Sequence, residues 1–241
     1  MNRENAIRRA QVYGFLAETF LYPRENWTED GDLVMEIVRF LGWIDVKPKI
    51  PTVSLADLQA AYSHTFGVAG SLGYETEYGL PHEYRQSQEM ADIAGFYRAF
   101  GFNLGGTVRE RPDHVAVELE FMHVLALKEA YALDSDILEH AEICIDAQSK
   151  FLQDHLGRWI QLFARSVAHN APDSLYGSLA IFAADFVRVD AERLGVSLDQ
   201  PELTEIQHTP FDPDFSCADC AVAGMGEQGF MRADLVVNSI E

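Results

Sequence analysis

Two short motifs in the chain carry residue types that bind metal ions. The first, Glu-x-x-His at Glu120 and His123, places both side chains on one face of a helix. Di-iron bundles use this motif twice and add glutamates from other helices. Here the only second match is Glu205 and His208, outside the helical part of the chain. A helical metalloprotein using Glu120 and His123 is therefore kept as an alternative function.

The second motif is C-x-x-C, formed by Cys217 and Cys220 near the C-terminus. One such motif can be half of a zinc site or a redox pair, and a closed zinc site needs two further ligands. The third cysteine, Cys144, falls within a helical pattern and is typical of a small core residue. Three interpretations of the pair stay open: incidental, zinc-binding or redox-active. We predict no cofactor and no metal for the chain.

A third group of residues suits the binding of a basic peptide. Aromatic and acidic residues crowd positions 74–84, among them Tyr74, Glu75 and Tyr78. Tyrosines supply rigid amphipathic contact area, and carboxylates pair with arginine through two hydrogen bonds. A packed loop is the other interpretation. Together with Asp113 and His114, the cluster predicts an acidic, aromatic groove.

The segment RERPDHVAVELEFMHVLALKEA (109–130) predicts a long helix that begins near Pro112 and Asp113. We expect Asp113 to pair with a guanidinium group of a partner, and His114 to modulate that charge near neutral pH. Glu118 lies one turn after His114 and is expected to hold its ring. The rival interpretation of Asp113 is a helix cap worth about 1 kcal/mol. In the binding interpretation, Asp113→Ala weakens partner binding and has little effect on stability.

Helical periodicity dominates the elements that must position these residues. We predict an all-α bundle of about seven to nine helices over residues 1–195, and an irregular C-terminal tail over residues 196–241. Ser54 and Asp57 predict a capping box, Gly101 a helix end and Gly157 a break in a long helix. Motifs of nucleophilic catalysis and phosphate binding are absent, so no catalytic residue is assigned.

Composition narrows the classes of partner. The 241 residues are 48% hydrophobic, which predicts a packed core, and no apolar run reaches the ~20 residues of a membrane span. A net charge of −20 disfavours nucleic acid and favours a basic partner. The N-terminus has no secretory signal pattern. We therefore expect a cytoplasmic protein without stable membrane insertion.

Four motifs in this order resemble one known family. They are YETEYG at 74–79, ADIAGFYRAFGF at 91–102, RERPDHVAVELEFM at 109–122 and FLQDHLGRW at 151–159. The chain resembles the TorD/DmsD/NarJ chaperones, which are maturation factors of molybdenum oxidoreductases, over residues 5–195. The tail, with Cys217 and Cys220, has no counterpart in that family.

The resemblance implies an all-α protein without catalytic activity. Such a protein binds the N-terminal region of a molybdoenzyme catalytic subunit, often its twin-arginine leader, until the molybdopterin cofactor is inserted. The family's peptide-binding region maps onto Tyr74, Glu75 and Tyr78, and its Pro-x-Asp-His-like element maps onto Asp113 and His114. The resemblance thus implies a peptide groove at the residues that their chemistry had already singled out.

Overall fold

The computed structural model describes residues 2–44, 48–67, 73–78, 85–103 and 110–198. These ranges contain eight α-helices and no β-strand, which confirms the all-α prediction. The predicted tail lies outside the described residues, apart from residues 196–198, and so do Cys217 and Cys220. The helices are α1 (Arg3–Thr19), α2 (Gly31–Leu41), α3 (Leu55–Phe66), α4 (Arg85–Ala99), α5 (Val115–Asp134), α6 (Leu138–Asp154), α7 (Leu156–Asn170) and α8 (Leu175–Arg193).

Local sequence signals set several of the helix ends. The Ser54 hydroxyl accepts a hydrogen bond from the Asp57 backbone N–H at 3.2 Å, which confirms the predicted cap of α3. Gly101, just after α4, has a φ of +68°, a conformation that glycine adopts without strain. The predicted break near Gly157 falls at His155, between α6 and α7. A Cβ atom at Gly157 would collide with the Leu152 carbonyl oxygen, so the tight junction needs a glycine.

The core forms where helices pack along one another, some of them distant in sequence and some consecutive. Helix α1 packs along α5, and α8 packs along α7. Phe20, just after α1, meets Phe163 of α7 edge to face, with ring centroids 5.3 Å apart. Tyr97 of α4 packs on Phe121 of α5 at 4.8 Å. Burial of these large side chains is the main source of stability for the scaffold.

A buried ionic network joins α1, α5, α6 and α8. The Arg9 guanidinium donates to Asp190 at 2.6 Å, to Glu129 at 2.9 Å and to Gln148 at 2.6 Å. Tyr13 donates to Asp190 at 2.8 Å. All five side chains are buried, so each charge depends on its partners in place of water. The network fixes how the four helices are placed around the core.

None of the helices in the described ranges has the length and apolar character needed to cross a membrane. Helix α5 starts at Val115, later than the sequence predicts, so Pro112 and Asp113 lie ahead of the helix. The physical reason is that His114 is the capping residue: its ring accepts the hydrogen bond that Asp113 would accept as a cap. The residues before α5 are thereby free to pair with another segment.

Candidate functional site

The loop at residues 73–78 pairs with the residues that precede α5. Tyr74 and His114 form an isolated antiparallel bridge. The Glu75 N–H donates to the Asp113 carbonyl, and the Val115 N–H donates to the Gly73 carbonyl, each at 2.8 Å. A Cβ atom at Gly73 would lie 3.0 Å from His114 Nε2, so this close approach favours glycine. The structure therefore brings together the two segments that the sequence singles out.

Asp113 is buried and already has intramolecular partners. Its carboxylate accepts hydrogen bonds from the Thr76 hydroxyl at 2.7 Å and from the Thr76 N–H at 3.3 Å. It also accepts from Arg111, from Nε at 3.0 Å and from Nη2 at 2.7 Å. Asp113 is therefore not the cap of α5. Its burial also argues against the small effect on stability that we expect for Asp113→Ala from the sequence.

Arg111 lies on the solvent side of this carboxylate. Its side chain is 35% exposed, and its guanidinium carbon lies 4.5 Å from the centroid of the Tyr74 ring. Nη1 lies 3.5 Å from Glu77, and Tyr74 donates to Glu110 at 2.9 Å. Burial, and then the bond to Glu110, raises the pKa of Tyr74 to about 12. The solvent-facing part of the site therefore consists of the Tyr74 ring between the carboxylates of Glu77 and Glu110. The guanidinium group of Arg111 lies over that ring.

His114 differs in state from the prediction. Nδ1 accepts a hydrogen bond from the Ala116 N–H at 3.2 Å, and Nε2 faces Gly73. Burial lowers the pKa of His114 to about 4, so the ring is neutral near pH 7. The expected modulation of charge near neutral pH is therefore wrong. The expected contact with Glu118 is also wrong, because both ring nitrogens face other groups.

Glu118 forms a buried acidic pair with Glu75. Its Oε2 accepts a hydrogen bond from Trp159 Nε1 at 3.1 Å, and its Oε1 is buried without a hydrogen-bond partner among the described residues. Burial, reinforced by the Glu75 charge, raises the pKa of Glu118 well above its usual value. The raised pKa favours the protonated, neutral form of Glu118 beside the Glu75 carboxyl.

His155 completes this buried group at the junction of α6 and α7. Its Nδ1 lies 3.3 Å from Glu75, and its Nε2 lies 3.5 Å from the exposed carboxylate of Asp92. Tyr78 packs on Trp159 with ring centroids 5.3 Å apart. His155 and Trp159 were not assigned a role from the sequence, although both lie within FLQDHLGRW, a motif that carries the resemblance. Together these residues anchor the loop from inside the bundle.

The six predicted peptide-binding residues thus divide by position. Tyr74 and Tyr78 are half-buried and retain accessible surface. The other four are buried and hold the backbone of the site in place. They are Glu75, Asp113, His114 and Glu118.

Glu120 and His123 do not converge on a metal site. Glu120 is exposed, whereas His123 is half-buried and its Nδ1 lies 2.7 Å from the Ala10 carbonyl, to which it donates. Within the described ranges, no three His, Cys, Asp or Glu side chains are grouped so as to hold a metal ion. The geometry therefore gives the metalloprotein alternative no support.

The fold and site define an all-α scaffold that presents an anchored acidic and aromatic loop. Residues 28–165, more than half of the chain, match the family described as nitrate reductase delta subunit, and the chain belongs to that family. The resemblance to TorD/DmsD/NarJ proteins is thereby confirmed.

Similar proteins are named as chaperones. The chlorate reductase assembly chaperone protein of Ideonella dechloratans is 27% identical over 201 residues, covering 83% of this chain and 94% of that protein. The selenate reductase assembly chaperone protein of Thauera selenatis is 29% identical over 207 residues, covering 85% and 97%. The chaperone protein TorD of Vibrio cholerae is 29% identical over 106 residues, covering 44% and 46%. Since these names describe chaperones, the expectation of a non-enzymatic protein is confirmed.

Proposed function

We propose that this protein is a system-specific chaperone for the catalytic subunit of a molybdopterin oxidoreductase. It acts in the cytoplasm and assists cofactor insertion and assembly before the subunit is exported. The observation that carries the proposal is the match along nearly the whole length of the chlorate and selenate reductase assembly chaperones.

The chaperone binds its client through a basic leader or N-terminal segment. Tyr74 and Tyr78 offer the contact surface, and the buried residues Glu75, Asp113, His114 and Glu118 keep the loop in position. Glu77 and Glu110 lie at the surface of the site and attract cations. The net charge of −20 speeds the encounter with a basic segment, and apolar burial on the tyrosines contributes affinity.

A calorimetric titration tests this mode of binding. The protein is titrated with a synthetic twin-arginine leader peptide and, in parallel, with the same peptide in which both arginines are glutamine. We expect micromolar or tighter binding of the first peptide and much weaker binding of the second. Equal affinity for the two peptides, or binding to neither, would contradict leader recognition through the arginines.

Tyr74→Ala tests whether the Tyr74 ring forms part of the surface that binds the leader peptide. It removes a half-buried ring that packs on His114, and Arg111 lies over the same ring. We expect weaker leader binding at unchanged helix content. Tyr131→Ala is the control, because Tyr131 is 72% exposed on α5 and belongs to none of the contacts of the site. A similar loss of affinity in both variants would contradict the placement of the site.

A further inference from the structure

Arg111 stands where a guanidinium group from a partner would be expected to bind. Two of its nitrogens meet the two oxygens of Asp113 at 3.0 and 2.7 Å. Such a fork-to-fork pair is the geometry in which carboxylates recognise arginine. The same group lies over Tyr74 and within 3.5 Å of Glu77. A carboxylate, an aromatic face and a second carboxylate thus surround one guanidinium.

The backbone of the pocket is paired without Arg111, although Arg111 Nη2 also donates a hydrogen bond to the Thr76 hydroxyl at 2.6 Å. Asp113 keeps two hydrogen bonds from Thr76, one from the hydroxyl and one from the backbone N–H. The backbone on both sides is fixed by the Glu75–Asp113 and Val115–Gly73 hydrogen bonds. The pocket walls therefore rest on main-chain pairing, whereas the arginine is a side chain one-third exposed to water.

The position of Arg111 also makes it easy to displace. Asp113 is fully buried, but the arginine approaches it from the solvent side. Ion pairs that face solvent are weak, because water competes for the charges and the long side chain loses rotamer freedom. A partner arginine can take the same contacts while Arg111 turns out into water, with no buried charge left unpaired.

We propose that Asp113, Tyr74 and Glu77 form a guanidinium pocket that Arg111 occupies at rest and that an arginine of the client segment takes over on binding. This inference rests on the proposed function and adds a regulatory element to it. Arg111 acts as an internal competitor that lowers the apparent affinity for basic segments in general. Only a segment with enough additional contacts displaces it.

The first test compares affinities by calorimetry. Arg111→Ala is titrated with the twin-arginine peptide and with its glutamine counterpart. Removing the competitor is expected to tighten binding of the arginine peptide by roughly fivefold to tenfold and to leave the glutamine peptide unchanged. Arg111→Lys keeps a positive charge beside Asp113 but lacks the fork, and its affinity is expected to lie between the wild type and the alanine variant.

The control separates the pocket from overall charge. Arg188→Ala removes the same single charge from an exposed pair with Glu192 on α8. If Arg188→Ala tightens binding as much as Arg111→Ala does, or if Arg111→Ala binds the arginine peptide no more tightly than the wild type, the exchange is overturned. If Arg111→Ala is too unstable to titrate, the affinity of Arg111→Lys is compared with that of the wild type by the same criterion.

The second test uses methylguanidinium as a probe and needs no peptide. Millimolar methylguanidinium chloride is expected to raise the thermal midpoint of Arg111→Ala above its midpoint in equimolar sodium chloride. The wild type, whose pocket is filled, is expected to show no such difference. Equal responses in the two proteins would overturn the pocket.

The two tests separate failure of the inference from failure of the proposed function. Stabilisation of Arg111→Ala by methylguanidinium, with no peptide binding by either protein, would support the pocket and contradict leader capture. Arginine-dependent binding to the wild type, with no gain in Arg111→Ala, would support leader capture and overturn the exchange.

Discussion

Replacing Asp113 by alanine is expected to destabilise the protein substantially, because its carboxylate holds the loop at residues 73–78 against α5. Four hydrogen bonds are lost, two from Thr76 and two from Arg111. Arg111 is one-third exposed and recovers hydration, so its part of the loss is below about 1 kcal/mol. Each bond between Thr76 and the carboxylate contributes about 1 kcal/mol or more.

These contributions add to about 2–3 kcal/mol for Asp113→Ala. Asp113→Asn keeps an acceptor for Thr76 but loses the charge and the hydrogen bond from Arg111 Nε, so about 1 kcal/mol is expected for that variant. A helix cap alone would also account for about 1 kcal/mol in the alanine variant. The size of the alanine effect therefore separates a loop anchor from a cap.

Urea unfolding followed by far-ultraviolet circular dichroism gives the free energies. The slope of the unfolding free energy against urea concentration is expected to stay unchanged. The difference in stability between variant and wild type therefore appears as a shift of the unfolding midpoint. Asp134→Ala is the control, since its pair with Arg3 is more than half exposed, and a change below about 1 kcal/mol is expected there. A free energy for Asp113→Ala within about 0.5 kcal/mol of the wild type would refute the anchoring argument.

Three further predictions concern the buried ionisable groups. The pKa of His114 is about 4 in the folded protein, below the unfolded value of about 6.5. The contribution of the neutral ring to folding stability is therefore complete above pH 6.5 and is lost as the pH falls towards 4. Between pH 7 and pH 5, the free energy of unfolding in urea is expected to fall by about 2 kcal/mol less in His114→Asn, whose side chain can still cap α5, than in the wild type. Equal losses in the two proteins would contradict this. Because the pKa of Glu118 is raised in the folded state, the wild type is expected to lose stability as the pH rises above 4.5. Glu118→Gln should lose less stability than the wild type between pH 5 and pH 8. Parallel curves of stability against pH for the two proteins would refute a protonated Glu118. Arg9→Met leaves Asp190 and Glu129 buried without their cation, and a loss of about 3–5 kcal/mol in the same assay is expected, whereas a change below 1 kcal/mol would contradict the network.

The helices were predictable because their signals are local. The Ser54 cap, the end of α4 at Gly101 and the break before Gly157 each depend on residues within one or two turns. The start of α5 was misplaced for a related reason. Pro112 and Asp113 are both favourable at a helix start, and only the bridge between Tyr74 and His114 shows that the helix begins later.

The chemistry of the site was only partly predictable, because burial decides it. The sequence marks Asp113 as a partner for a guanidinium group, and the structure shows that the guanidinium at rest is that of Arg111. The neutral state of His114 depends on neighbours that no pattern in the sequence specifies. The contact of His155 with Glu75 joins residues 80 positions apart, beyond the reach of helical periodicity.

The central claim is that this protein binds an immature catalytic subunit of a molybdopterin oxidoreductase. The most direct measurement isolates the full-length protein from the cells that produce it, identifies the bound polypeptide by mass spectrometry and determines its molybdenum content. We expect a catalytic subunit of that class in near-equimolar amount and without molybdenum. Recovery of no such subunit, or of one already loaded with molybdenum, would contradict the proposed chaperone function.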